Sequence, residues 1–91
     1  MFINITESAD AGLLAIADYL AQDDFDEAER IVQAIIMAAY SLQNMPRRGR
    51  PGRVGGTLEL LVPNLPYVLV YTVMPSEVRI LKVLHQKQQW P

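Results

Sequence analysis

The hydrophobic period of this chain changes once, and that change divides it in two. Up to Leu42 apolar residues recur at helical spacing, and from Thr57 onward they alternate. Between the two lies Pro46–Gly56 (PRRGRPGRVGG), with two prolines, four glycines and four arginines in seven positions: Arg47, Arg48, Arg50 and Arg53. Backbone preference runs neither a helix nor a regular strand through such a segment, so a loop ordered by its contacts is expected. A helical half followed by a strand half points to an α+β fold, with helices gathered on one side of a sheet.

In chain order, Phe2, Ile3 and Ile5 predict a short strand, after which Thr6 or Ser8 is placed to cap a helix. Ala9, Leu13, Ile16, Ala17 and Leu20 give that helix one apolar face over residues 8–21, and Gly12 weakens its intrinsic propensity. Gln22-Asp23-Asp24-Phe25-Asp26 breaks the pattern. A second helix then lines up Ala28, Ile31, Val32, Ile35, Ala38, Ala39 and Leu42, ending near Asn44 because Pro46 disfavours helical geometry in Met45. A short loop between two amphipathic helices makes them an antiparallel hairpin.

Beyond the loop, Leu58, Leu60 and Val62 point one way, and Thr57, Glu59 and Leu61 the other. Tyr67–Met74 is apolar on both faces, as in a central strand, and Tyr67 and Tyr71 share a face suited to packing. Val78–His85 is the last strand, its alternation putting Arg79, Leu81, Val83 and His85 on one face. The expected order is β-α-α-β-β-β, a single domain over residues 1–91 with a helical hairpin packed on an antiparallel sheet and the first strand at an edge. The helices can cover only one sheet face. The other is expected to stay open, basic and available to a partner.

The net charge of −2 conceals a dipole: residues 1–45 carry −7 and residues 46–91 carry +5. The C-terminal half therefore suits an anionic partner. There is no cysteine, so a disulfide and a thiolate nucleophile are excluded. Asp18, Asp23, Asp24, Asp26, Glu27 and Glu29 match no calcium-loop spacing, and no metal or cofactor is expected. MFINITESAD lacks the pattern of a signal peptide and no apolar run is long enough to cross a bilayer, so a cytoplasmic protein is the default expectation.

Several segments in order resemble the RelE/ParE superfamily of toxins from type II toxin–antitoxin systems, closest to its ParE-like, plasmid-stabilisation branch. They are Ile16-Ala-Asp-Tyr-Leu20, Ala28–Leu42 with Pro46, Gly49–Thr57, Glu59-Leu60, Pro66–Tyr71, Val78–His85 and Gln89-Trp90-Pro91. Each is a weak motif alone; the ordered set spans nearly the whole chain. Two positions depart from the family pattern. Leu58 stands where an arginine is usual, and Asn64-Leu65 replaces a turn glycine.

The resemblance implies a growth-inhibiting toxin neutralised by a cognate antitoxin, whose acidic C-terminal segment would meet the basic half of this chain. Arg47, Arg48, Arg50, Arg53 and Trp90 are the candidate partner contacts. ParE-like members are thought to act on DNA gyrase, whereas RelE-like members cut mRNA on the ribosome. Cleavage would need proton-transfer groups and cations around the phosphorane, and His85, Arg79, Arg53 and Glu59 are the available set. A lone strand-end histidine is more often a packing residue than a catalyst. The phosphate-binding arginine of the nucleases falls on apolar positions here (Tyr67, Val68, Leu69), and the chain is net negative. A toxin that binds a protein target is the expected reading, with an mRNA interferase or a degenerate, non-toxic member as alternatives. Direct nucleic-acid binding is not expected outside the antitoxin complex.

Overall fold

Thr6 sets the first turn of the chain. In the computed structural model, which describes residues 1–90, it joins β1 (Phe2–Ile5) to α1 (Glu7–Ala21) without a loop. Its hydroxyl oxygen accepts from the Ala9 N–H at 3.2 Å, and its O–H donates to the Ile80 carbonyl at 2.7 Å. One side chain thus caps the helix and ties it to the last strand. Asp24 caps α2 (Phe25–Ser41) in the same manner, accepting from the Glu27 N–H at 3.1 Å. Ala9 and Leu13 of α1 and Ala28, Ile35, Ala38 and Ala39 of α2 face the core, with Leu42 just past the helix end. No helix is long and apolar enough to cross a membrane among the described residues.

The remaining elements are β2 (Arg50–Pro51), β3 (Leu58–Leu61), β4 (Tyr67–Val73) and β5 (Glu77–His85), and the sheet order is β1-β5-β4-β3-β2. The last four strands are antiparallel to their neighbours, and β1 enters at the edge parallel to β5, so the sheet is mixed. The expected strands and helices are all present, with one addition. β2 lies inside the segment read as loop, where Arg50 pairs with Glu59 and Pro51 with Leu58. Two residues with a proline make a blunt edge, which limits further strand pairing. The β3–β4 turn places Asn64 at φ 63, a left-handed position that asparagine tolerates in place of glycine.

Strict alternation along β5 does not hold. Val70 pairs with Lys82 but Tyr71 pairs with Ile80, leaving Leu81 as an extra residue in a bulge. Val78 and Ile80 therefore face the helices before the bulge, and Val83 does so after it. Arg79, which pairs with Thr72, lies on the opposite face from Val83 and from His85, which pairs with Tyr67. The single inserted residue separates side chains that simple period-two counting places together.

Tyr67, Leu69 and Tyr71 of β4 join the core beneath the helices. Val68 and Val70 point to the other face, yet they are 1% and 0% exposed. In register they are flanked by Leu61 and Leu84, and by Glu59 and Lys82. The expectation of an open second face is thus corrected: its centre is closed, and exposure is confined to rim residues such as Phe2 and Leu61.

Candidate functional site

The four arginines of the loop do not form one surface. Arg48 turns toward α2, where its guanidinium donates to the Ser41 hydroxyl at 2.6 Å and borders a shallow apolar hollow with Met37, Val62 and Pro63. Arg50 and Arg53 turn to the far face of the sheet and flank Glu59. The Arg50 guanidinium lies 3.4 Å from one carboxylate oxygen of Glu59, and the Arg53 guanidinium lies 3.4 Å from the other. The Arg53 backbone N–H donates to that second oxygen at 3.1 Å. Glu59 is 3% exposed and is the single buried charged residue among those described. Its oxygens are met by cations and a backbone donor, as a buried carboxylate requires.

Three further contacts shape the loop. The Gly49 N–H donates to the Tyr71 hydroxyl at 2.9 Å, and the Gly52 N–H to the Thr57 carbonyl at 2.8 Å. The Thr72 hydroxyl donates to the Gly56 carbonyl at 3.0 Å. A Cβ on Gly49 would lie 2.7 Å from the Tyr71 hydroxyl and 2.8 Å from the Glu59 carbonyl oxygen, so only glycine fits that approach. Burial pushes the Tyr71 hydroxyl above its ordinary ionisation range, while the Gly49 donor and the nearby Arg48 and Arg47 pull it back.

A second site lies on the opposite flank, where α1 crosses the C-terminal half of β5. A groove of about 530 Å³ runs there between Gly12, Ile16 and Tyr19 on one wall and Lys82, Val83 and His85 on the other. Gly12 allows the crossing, since a Cβ there would sit 2.6 Å from the Val83 carbonyl oxygen. Lys82 Nζ donates to the Ser8 hydroxyl at 2.8 Å. His85 stacks edge-on against Tyr67, with ring centroids 5.6 Å apart and planes at 85°. The Lys87 N–H donates to His85 Nδ1 at 3.1 Å, which places the proton of the neutral ring on Nε2. Burial pushes the Tyr67 hydroxyl above its ordinary ionisation range, and neighbouring Tyr19 pushes it further.

The structure therefore disperses the four residues considered for cleavage. Glu59 and Arg53 are together on the face away from the helices. Arg79 shares that face but donates to Glu77 at 3.0 Å, and the Asn4 amide donates to the same Glu77 oxygen at 2.9 Å. These contacts, Asn4 foremost, hold the Glu77 carboxyl below the usual range. His85 lies on the helix side of the sheet. Trp90 is partly buried, and its indole N–H is sealed from solvent without an acceptor among the described residues. Pro91, the end of the resemblance, lies outside the described residues. The groove was not foreseen. The signal for it was Gly12, a costly residue in the middle of a helix that marks a close backbone approach.

This arrangement of a helical hairpin on a five-stranded mixed sheet has known counterparts. Residues 3–90 match the family described as the ParE toxin of type II toxin–antitoxin systems, parDE. The chain belongs to the ParE toxin family. As a ParE toxin it is the toxin component of a type II module, and the family implies a cognate antitoxin. It is 42% identical over 76 residues to Y4kP of Sinorhizobium fredii, covering 84% of this chain and 78% of that protein. It is 39% identical over 75 residues to Toxin RelE2 of Caulobacter vibrioides, covering 82% of this chain and 83% of that protein. A solved chain of the chromosomal ParDE system from P. aeruginosa superposes with a TM-score of 0.85 at 30% identity, covering 93% of this ParE chain and 95% of the other.

Proposed function

We propose that this ParE toxin arrests growth by binding a protein target, with DNA gyrase the first candidate, and that its antitoxin neutralises it by covering part of its surface with an acidic segment. The observation that carries this reading is the separation of the ionisable residues. His85 lies on one face of the sheet, and Glu59, Arg53 and Arg79 lie on the other. General acid–base cleavage needs its proton donor and acceptor within hydrogen-bond reach of one substrate. Glu59 is moreover engaged by Arg50 and Arg53, and His85 Nδ1 by the Lys87 N–H. Without a convergent acid–base pair, binding is the function left to the cationic surfaces.

Three assays discriminate the possibilities. Induced expression without antitoxin should stop growth, and co-expression of the neighbouring open reading frame should restore it. Purified toxin should inhibit supercoiling by gyrase. Incubation with ribosomes and mRNA should leave the message intact. Codon-dependent cuts that disappear in His85→Ala would overturn the proposal in favour of an mRNA interferase, and unimpeded growth on induction would mark a degenerate member.

A further inference from the structure

The groove beside α1 differs in chemistry from the rest of the surface. Ten acidic residues are distributed along the chain, yet none lines this groove. Its polar groups include the Lys82 ammonium, the His85 ring and the hydroxyls of Tyr19 and Tyr67, set around an apolar wall of Ile16 and Val83. An apolar channel ringed by hydrogen-bond donors is suited to an apolar anchor flanked by carboxylates.

The strand edge along the groove is already capped, which excludes addition of a peptide strand. The Thr6 hydroxyl takes the Ile80 carbonyl, Gly12 lies against the Val83 carbonyl, and the Gln88 side chain accepts from the His85 N–H at 2.7 Å. An occupant must therefore enter with its side chains.

The chain itself carries a segment of that kind. Asp23-Asp24-Phe25-Asp26 forms the hairpin loop and first turn of α2, and Phe25 is 71% exposed. Asp24 is engaged as the helix cap, but the carboxylates of Asp23 and Asp26 make no hydrogen bond or ion pair with any described residue. Phe25 borders a hollow with Ala17, Ala21 and Val32, on the other flank of α1 from the groove. It cannot fold into its own groove. The groove runs the length of α1: Tyr19 marks the end beside the loop, and Lys82, bonded to Ser8, marks the end at the helix start.

We propose that this ParE toxin self-associates through a two-fold contact in which the Phe25 loop of each copy enters the α1–β5 groove of the other, with Asp23 and Asp26 facing Lys82. Loop and Lys82 lie at opposite ends of α1, so a two-fold that sets the two α1 helices antiparallel brings each loop to the other copy's Lys82 and makes both contacts with one rotation. A loop-in-groove contact falls at the small end of stable interfaces, so the dimer is expected to be concentration-dependent. The association does not depend on which cellular target the toxin binds.

Sedimentation velocity of the purified full chain over a concentration series tests this. The weight-average mass should rise from 10.2 kDa toward twice that value, and less so at high salt. Lys82→Glu and Asp26→Lys should each weaken association by about tenfold or more, because each sets like charges against one another. The double variant should regain it, a recovery that loss of folding in either single variant cannot mimic. Phe25→Ser should remove the apolar anchor and leave a monomer with unchanged circular dichroism. A chain that stays monomeric at every concentration, or a dimer indifferent to both charge reversals, would overturn the proposal.

Discussion

The arginine loop and the α1–β5 groove draw on the same basic half of the chain but end in opposite electrostatic states. In the loop, Arg50 and Arg53 are matched by Glu59, and the surface they present is partly neutralised from within. In the groove, Lys82 meets only the uncharged Ser8 hydroxyl, and no carboxylate is near enough to line the site. Counting charges along the sequence makes the loop the stronger anion site. Locating the counter-charges favours the groove. The position of one buried acid outweighs the number of bases around it.

Each region depends on a glycine, and the largest expected effects come from filling those positions. Gly49→Ala drives a Cβ into the Tyr71 hydroxyl and the Glu59 carbonyl, and Gly12→Ala drives one into the Val83 carbonyl. Neither set of neighbours is a mobile side-chain end, so each change should cost about 2–3 kcal/mol, read as a lower urea midpoint. Their consequences should differ in place. Gly49→Ala should raise amide exchange in residues 47–56 and spare Lys82–His85, whereas Gly12→Ala should do the reverse. Equal disturbance of both segments by either variant would show that the two regions are not independent.

Glu59→Gln is the next largest test. It preserves shape but removes the charge that holds the loop's cations, and a loss of about 1–2 kcal/mol is expected. Arg50 and Arg53 remain 64% and 41% exposed and can turn to water, which keeps the figure from reaching that of a fully buried pair. The loss should shrink as salt is raised, because screening weakens the native pair before it is removed. The freed arginines should also make the outer face a better anion site, seen as tighter retention on a cation exchanger.

The fold was legible because its signals were redundant. Two helical faces, a period-two half and the punctuation at Pro46 and Asn64 agree with one another, and the family resemblance runs in the same order. The site was less legible, for two local reasons. Arg50–Pro51 has no strand signature of its own and pairs only because β3 offers an edge, so the cross-strand partner of Glu59 was invisible. The bulge at Leu81 leaves no mark in residue type, yet it moves Val83 and His85 to the helix side. Thr6 and Gly12, by contrast, were readable as a cap and an anomaly, though not for the strand contacts they make.

Smaller again is the effect of removing the Tyr71 hydroxyl. Tyr71→Phe leaves the Gly49 N–H without its acceptor and should cost about 1 kcal/mol. It also has a pH signature. Tyr71 and Tyr67 both ionise less readily when folded than at the ordinary value of 10.0, so their stabilisation is complete below that value and declines as pH rises past it. Urea midpoints measured through the alkaline range should therefore fall less steeply for Tyr71→Phe than for the unchanged chain. If the slopes coincide, Tyr67 in the groove rather than Tyr71 in the loop governs alkaline unfolding.

The smallest expected effect sharpens the comparison from a third position. Glu77, at the start of β5, repeats the logic of Glu59 in half-buried form: Asn4 and Arg79 hold its carboxylate below the ordinary value of 4.5. A depressed carboxylate stabilises the fold above its unfolded value, and that contribution is lost as pH falls through its folded value, where the unfolded chain takes up the proton first. Acidification below 4.5 should therefore weaken the parallel β1–β5 junction, where Asn4 faces Arg79 in register. Urea midpoints followed downward in pH should decline less in Glu77→Gln than in the unchanged chain. Amide exchange should locate the difference in residues 2–5, away from both the loop and the groove. An acid slope unaltered by that substitution would mean that solvent screens this ion pair completely, and that only burial, as at Glu59, lets a carboxylate organise the cations of this sheet.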